Sequence, residues 1–273
     1  MQQPRWSPWR DARPWGLRAF GRELALAALG GLAYFAIRGA VAGRADEATA
    51  RAAGLLDLER SLGLAWEHAL QDAILGSQPL VNLMNGIYFW THMPVILALG
   101  VWLWWTHRGA YTFTRNAFLG SAVLALALYF VLPTAPPRLL PGFVDTMALH
   151  ARANYQAQEL GPFVNAYAAL PSLHFGWALL VALGLWLGRP RRRGGAVVVV
   201  IVGAALVLGQ FFAIVTTANH FVLDAVAGAA AAGLGVTGAA AWRRRDRSAA
   251  GDPAAVSALP PRGRAESAAR EAG

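Results

Sequence analysis

The stretch AVVVVIVGAALVLGQFFAIVTT, at Ala196–Thr217, contains no charged side chain. An α-helix needs about 20 predominantly apolar residues to cross the hydrocarbon core of a bilayer. The sequence therefore predicts an all-α, polytopic membrane bundle of about six transmembrane helices. The other five stretches, two of them shorter than the rest, are Leu24–Ala42, Asn85–Trp105, Asn116–Leu132, Ser172–Leu187 and His220–Trp242.

The composition agrees with a membrane protein and excludes several other classes. Hydrophobic residues make up 56% of the 273 positions and charged residues only 14%, whereas a soluble domain has about 25% charged residues. The chain has no cysteine, which rules out disulfide frameworks, Cys-ligated metals and thiol nucleophiles. The net charge of +9 is carried by short arginine clusters beside apolar runs, a pattern that sets membrane topology. We therefore expect no nucleic-acid partner.

The charged residues between the apolar stretches predict the orientation of the chain. Cytoplasmic segments of membrane proteins carry an excess of basic residues, so we expect the N-terminus, the C-terminus and the loops after the second and fourth spans to be cytoplasmic. The predicted organisation is an Arg- and Trp-rich N-terminus (1–22), a membrane domain (23–245) and a disordered cytoplasmic tail (246–273). The first span is interpreted as an uncleaved anchor rather than a signal peptide. The arginines concerned are Arg5, Arg10, Arg13, Arg18, Arg22, Arg108, Arg115, Arg189, Arg191, Arg192, Arg193, Arg243, Arg244, Arg245 and Arg247.

An acidic, amphipathic segment lies between the first two spans, on the extracytoplasmic side of this topology. Apolar residues recur in it at spacings of three and four with charges between them, which is typical of a helix. We expect Ala45–Ser77 to be helical and to lie on the membrane surface or over the bundle. The apolar positions are Leu55, Leu58, Leu62, Trp66 and Leu70.

Three polar clusters fall at the outer ends of predicted spans. They are Pro133–Arg138 after the third span, Pro171–His174 at the start of the fourth, and His220–Asp224 at the start of the sixth. The alternating topology places all three clusters on the extracytoplasmic side. We therefore expect residues that are distant in sequence to converge at one membrane depth.

Two histidines and an aspartate in these clusters are candidate catalytic residues. His220 and Asp224 are four residues apart, so on a helix they share one face. An aspartate that accepts a hydrogen bond from one imidazole nitrogen leaves the other nitrogen free to act as a nucleophile; an ion pair that only holds the bundle together is the alternative. His174 is a second imidazole that can donate a proton to a leaving alkoxide.

Further residues are candidates for phosphate or substrate binding. Arg138 can hold a phosphate through its planar set of donors, and Ser172 offers a hydroxyl at a helix start; an interfacial charge and a structural cap are the respective alternatives. His92, Tyr88 and Arg38 are candidate substrate-binding residues. A buried histidine bonded to Tyr88 and an arginine that extends to the interface are the competing interpretations.

Together these residues resemble the type 2 phosphatidic acid phosphatase superfamily. The Pro-Ser-x-His motif of that superfamily matches Pro171–His174, and the His-x-x-x-Asp end of its third motif matches His220 and Asp224. Other segments look like its inositol-phosphorylceramide-synthase-like branch, the inositolphosphotransferases. These segments are Pro133–Arg138, Glu59–Leu64 and the pair Tyr88 and His92.

The resemblance implies a six-helix core and a phosphohistidine intermediate formed on a lipid-linked phosphate. By this mapping His220 is the nucleophile and Asp224 orients it. His174 protonates the leaving group and later activates the acceptor. Arg138 and Ser172 hold the phosphoryl oxygens, and no metal or cofactor is needed. The expected partners are the lipid phosphate and membrane lipids, with the site on the extracytoplasmic side of a cell membrane.

The chain departs from the commoner pattern of the superfamily at three positions. Val131 replaces a lysine, Leu139 replaces a proline and Ile214 replaces an arginine. Fewer cations suit a phosphodiester substrate and a transferase reaction better than a highly charged phosphomonoester. Hydrolysis remains an open alternative, as do a lipid carrier without chemistry and a degenerate membrane scaffold. A vanadate haloperoxidase has a similar motif set, but six spans and the reduced cation count argue against it.

Overall fold

The computed structural model describes residues 16–149, 165–190 and 194–249, and within these ranges the regular elements are helices. A parallel β-bridge joins Thr134 to Ala168. The helices are α1 (Leu17–Val41), α2 (Ala45–Leu62), α3 (Glu67–Leu75), α4 (Gln78–Trp90), α5 (Met93–Thr106), α6 (Arg108–Val131), a 3₁₀ helix (Pro137–Leu139), α7 (Thr146–Leu149), α8 (Leu173–Gly188), α9 (Gly195–Thr216) and α10 (Val222–Ala249).

The helical membrane bundle predicted from the sequence is confirmed. Four helices, α1, α6, α9 and α10, are long and apolar enough to cross a membrane. The pair α4 and α5 passes the same test as one span that is bent by 40°, and α8 is a shorter apolar helix of 16 residues. The predicted set of about six spans therefore corresponds to four long helices, one broken span and one short helix.

The second predicted span is broken in the middle, where the sequence analysis expected one continuous helix. Helix α4 ends at Trp90 and α5 begins at Met93, with Pro94 in its first turn. A proline ring clashes with the carbonyl group four residues earlier, which here belongs to Trp90. The Thr91 hydroxyl lies 2.8 Å from the carbonyl oxygen of Ile87 and 2.5 Å from Oε1 of Gln210. The contact with Gln210 connects the break to α9.

The third span begins earlier than predicted, so Arg108 and Arg115 are helical rather than in a loop. Arg115 forms an ion pair with Glu23 of α1, whose side chain is 12% exposed. The Tyr111 hydroxyl donates to the same carboxylate over 3.0 Å. Because Glu23 compensates the Arg115 guanidinium, the apolar helix can extend past Arg115 to Arg108.

The outer segment is helical as predicted, but it folds as two helices, and of the predicted apolar positions only Leu55 and Leu70 pack against the core. Gly63 ends α2 in a left-handed conformation with φ of 70°. The predicted apolar positions Leu58, Leu62 and Trp66 are exposed. Small residues allow α2 to lie closely over the bundle instead, so its buried positions are Ala48, Ala52, Leu56 and Glu59.

The predicted terminal segments lie largely outside the described residues. Helix α10 continues to Ala249, a few residues into the predicted tail. Residues 1–15 and 250–273 are not described, so the disorder expected for the C-terminal tail stays a prediction.

The three polar clusters converge at one end of the bundle. The backbone N–H of Ser172 donates to the carbonyl oxygen of Asp224 over 2.9 Å, and that of Arg138 donates to Ala218 over 2.9 Å. The bridge between Thr134 and Ala168 joins the segment after α6 to the segment before α8. This arrangement brings together the C-terminal ends of α6 and α9 and the N-terminal ends of α8 and α10.

Helix α10 packs closely against α6 and α8 because glycines line its contacts. A Cβ atom added to Gly228 would lie 2.1 Å from the carbonyl oxygen of Ser172, and one added to Gly235 would lie 2.3 Å from that of Ala117. Small residues at such crossings allow helix backbones to approach each other in a membrane. Gly228 therefore sets the spacing between the two helices that begin at the polar clusters.

Replacing Gly228 with alanine should destabilise the crossing of α8 and α10. The new Cβ would meet backbone, which cannot rotate away, so we expect the free energy of unfolding to fall by about 1–3 kcal/mol. Chemical denaturation in detergent micelles measures this change. Gly233→Ala is the matched control on the same helix, because its Cβ would meet nothing within 4 Å. A Gly228→Ala protein as stable as the control would contradict the close crossing.

Candidate active site

His220 lies two residues before the start of α10 and is almost fully buried, with 4% of its surface exposed. Its Nδ1 atom is 2.9 Å from the carbonyl oxygen of Ala169. A carbonyl oxygen only accepts hydrogen bonds, so Nδ1 must carry the proton. In the neutral imidazole the lone pair then resides on Nε2. The carbonyl group of Ala169 therefore selects the tautomer that a nucleophilic histidine requires.

Asp224 contacts His220, but not through the helical face that the sequence analysis assumed. His220 precedes α10, and the Asp224 side chain reaches back to accept a hydrogen bond from the backbone N–H of Phe221 over 2.9 Å. The same Oδ2 atom lies 3.4 Å from Nδ1 of His220. Asp224 thus caps the start of the helix and also places a carboxylate beside the imidazole, whose Nδ1 hydrogen bond goes to Ala169.

His174 is held in a stack of aromatic rings beside His220. Its ring centroid is 4.2 Å from that of Tyr88, 4.0 Å from that of His92 and 5.5 Å from that of His220. His92 in turn stacks on Trp177, with the centroids 5.3 Å apart. The structure therefore brings Tyr88 and His92 to the site, where both rings stack on His174. Their predicted role in substrate binding stays a prediction.

Arg138 lies in the 3₁₀ helix after α6 and is oriented by two residues that the sequence analysis did not identify. Its Nη1 donates to Oδ1 of Asn219, and its Nε lies 3.4 Å from Oδ2 of Asp145. Asn219 directly precedes His220 and donates to the Thr217 hydroxyl over 2.7 Å, so it connects the guanidinium to the histidine. In the sequence, only the position of Asn219 beside His220 pointed to its role, and nothing pointed to Asp145.

Buried amides hold the segment that carries Asp145. Gln71 of α3 forms two hydrogen bonds of 2.9 Å with the backbone of Val144. The Thr146 hydroxyl donates to Asn85 of α4 over 3.0 Å. Both residues beside Asp145 are therefore anchored to the bundle, which fixes the carboxylate that faces Arg138.

An ion-pair cluster on α2 holds the end of α6 from which the Arg138 segment starts. Arg51 donates to the carbonyl oxygen of Pro133 over 2.8 Å, and Arg44 donates to that of Phe130 over 2.5 Å. Glu47 contacts both arginines. The two guanidinium groups lower the pKa of Glu47 to about 2, so this carboxylate stays charged at neutral pH.

The structure assigns different surroundings to Ser172 and Arg38. Ser172 is fully buried, and its hydroxyl accepts a hydrogen bond from the backbone N–H of Phe175 over 3.3 Å, which is the structural cap considered as the alternative. Arg38 lies one turn beyond Tyr34 on α1, and the Tyr34 hydroxyl accepts from the backbone N–H of Asn165 over 2.7 Å. Arg38 is therefore at the same end of the bundle as the site, and its role in binding stays a prediction.

Within the three described ranges, no group of three or more His, Cys, Asp or Glu side chains is arranged to hold a metal ion. The independence of the reaction from metals stays a prediction.

The chain was also compared with known proteins. A family model described as the PAP2 superfamily matches residues 53–238, which is more than half of the chain and includes every residue of the site described above except Arg38, Tyr34, Arg44, Glu47 and Arg51. No curated protein and no solved structure matches the chain significantly.

Changing Asn219 to aspartate should weaken anion binding at Arg138. The substitution keeps the size of the side chain but places a negatively charged carboxylate against the guanidinium of Arg138. Since such a contact is worth about 1–4 kcal/mol near a protein surface, we expect the affinity for inorganic phosphate to fall by about tenfold or more. Titration calorimetry in detergent measures it, with the exposed Asn82→Asp as the control. An Asn219→Asp protein that binds phosphate like the unchanged chain would contradict an anion site at Arg138.

Proposed function

Since this chain belongs to the PAP2 superfamily, we propose that it is a membrane enzyme that transfers the phosphoryl group of a lipid-linked phosphate through a phosphohistidine on His220. The observation that carries the proposal is the hydrogen bond from Nδ1 of His220 to the carbonyl oxygen of Ala169. It leaves the lone pair of Nε2 available for attack on phosphorus. The carboxylate of Asp224 stabilises the positive charge that the imidazole develops during that attack.

The first step forms a bond between Nε2 and phosphorus and breaks the bond between phosphorus and the leaving oxygen. The electron pair of the broken bond stays on that oxygen, which takes a proton from His174. In the second step His174 removes the proton of the acceptor hydroxyl while the acceptor oxygen attacks phosphorus. The bond to Nε2 then breaks and His220 returns to its neutral form. The two ring centroids are 5.5 Å apart, close enough for both imidazoles to act on one phosphoryl group.

The charge at the site favours a phosphodiester over a phosphomonoester. Arg138 contributes a positively charged guanidinium to the site, and Asp145 already offsets part of that charge. A phosphodiester carries one negative charge, whereas a phosphomonoester carries nearly two at neutral pH. We therefore infer a phosphodiester lipid donor and transfer to a hydroxyl acceptor, as in the inositolphosphotransferase-like branch. Water as the acceptor would make the same chemistry a hydrolysis.

The distribution of arginines supports a site that faces the extracytoplasmic side. Arg18 and Arg22 are at the start of α1, and Arg243, Arg244 and Arg245 are near the end of α10, the opposite end of that helix from His220. Basic residues favour the cytoplasmic side of a membrane. The alternative to an enzyme is a lipid carrier or scaffold built on the same bundle, in which lipid movement would survive the loss of His220.

The two histidines should respond differently to the leaving group of the substrate. His220→Ala removes the nucleophile, so we expect loss of turnover for every substrate. His174→Ala removes the general acid, which contributes about 10²–10⁴-fold when the leaving group is a lipid alkoxide. p-Nitrophenolate leaves without a proton, so its first-turnover release from a p-nitrophenyl phosphodiester should fall much less in His174→Ala. Later turnovers by this variant stay slow, because the acceptor hydroxyl still lacks its base.

The assay uses purified protein in detergent with EDTA, a panel that includes phosphatidylinositol and lipid phosphomonoesters, and mass spectrometry of the products. His68→Ala is the matched control, because the His68 ring of α3 packs on Phe143, between the 3₁₀ helix and α7, instead of on the site rings. Adding inositol as an acceptor separates transfer from hydrolysis by the product formed. Turnover that persists in His220→Ala, or that disappears with EDTA, would contradict the proposed mechanism.

A further inference from the structure

Two buried glutamates from the outer helices reach the start of the helix that follows His220. Glu59 of α2 and Glu67 of α3 have no exposed surface. Oε1 of Glu67 accepts a hydrogen bond from the backbone N–H of Val222 over 2.9 Å, and Oε1 of Glu59 accepts one from that of Leu223 over 2.6 Å. Successive backbone donors of α10 are thus capped by carboxyl groups from two different helices.

The second oxygen of each carboxyl group is buried without a partner. Neither Oε2 of Glu59 nor Oε2 of Glu67 has a hydrogen-bond partner among the described residues. The two carboxyl groups are neighbours, because they accept hydrogen bonds from successive backbone N–H groups of one helix turn. A single proton between them would satisfy both oxygens, because a protonated carboxyl donates and a carboxylate accepts.

Electrostatics oppose the ionisation of both groups. Asp224 faces Glu59 from α10 and contacts His220 in turn, so two ionised glutamates would add to a third buried negative charge. The helix N-terminus contributes only about half a positive charge. Burial, and then the neighbouring Glu67, raise the pKa of Glu59 to about 9. Like charges in a buried pair cause one member to keep its proton.

We propose that Glu59 and Glu67 share one proton and act together as positioning residues for the first turn of α10, and through it for His220. The pair fixes the backbone of Val222 and Leu223 while it carries a single negative charge. Two carboxylates there would repel the phosphoryl group that His220 accepts. The positioning role rests on the proposed function, whereas the sharing of a proton does not.

The shared proton makes a prediction about stability and pH. The folded protein keeps a proton that the unfolded chain releases above the ordinary glutamate pKa, so its stabilising effect is complete below that pKa and is lost as the pH rises through about 9. Over this interval the unfolding equilibrium constant should rise by about tenfold per pH unit through this pair alone. In Glu59→Gln or Glu67→Gln the amide N–H replaces the shared proton, so this contribution should disappear.

The test measures chemical denaturation in detergent between pH 6 and pH 9 for the unchanged protein, both single variants and the double variant. Asp57→Asn is the matched control, because Asp57 is an exposed carboxylate on the same helix with its own partner, Arg60. The control should keep the pH dependence of the unchanged protein. In the double variant both amide oxygens accept from the backbone, so the two NH2 groups face each other and neither finds an acceptor. Its loss of stability should therefore exceed the combined losses of the single variants.

Parallel pH dependence in the unchanged protein and Glu59→Gln, or strictly additive losses in the double variant, would overturn the shared proton. The positioning role is read separately from kcat and KM for the substrate found in the EDTA assay. We expect kcat to fall further in the double variant than in either single variant while KM changes little. An unaltered kcat in the folded double variant would overturn that role. If the unchanged protein shows no turnover but has the expected pH dependence, only the proposed function and the positioning role that rests on it are wrong.

Discussion

The backbone N–H groups at the start of α10 have no partner among the carbonyl groups of that helix, and acidic side chains accept their hydrogen bonds. A helix leaves about four such donors at its N-terminus, and in a buried position each one needs an acceptor. Here the acceptors are the side chains of Asp224, Glu67 and Glu59, which come from three helices. The outer helices, the loop before α10 and the aspartate beside His220 are therefore held together by one set of hydrogen bonds.

The sequence predicts the bundle well because the bilayer imposes length and polarity on each span separately. It fails where a side chain changes the local backbone. Pro94 breaks the second span, and Glu23 allows the third span to extend past Arg115. On α2 the leucine stripe was the obvious apolar face, but the alanines at Ala48 and Ala52 permit closer packing. Glu59 lies at helical spacing from these buried positions, which was the available signal that this charge points inward.

The candidate site is predictable to the extent that its chemistry follows from residue type and spacing. His174, His220, Asp224 and Arg138 were all expected, and the structure places them at one end of the bundle. The residues that orient them were not expected, since Asp145 and the carbonyl group of Ala169 act through tertiary contacts that no local pattern encodes. Ser172, a motif residue, caps its own helix, and its role in phosphate binding stays a prediction.

The broken span between α4 and α5 has a consequence for how the lipid environment reaches the site. Helices adjust to bilayers of different thickness by tilting or kinking, and this span already bends by 40° at the residues beside His92. Tyr88 lies on one side of the break, His92 lies at it, and both rings stack on His174. A span that adapts to membrane thickness by kinking would bend at this break, which carries one of the rings stacked on His174. Through such bending, the thickness of the bilayer would affect how the rings pack around His174.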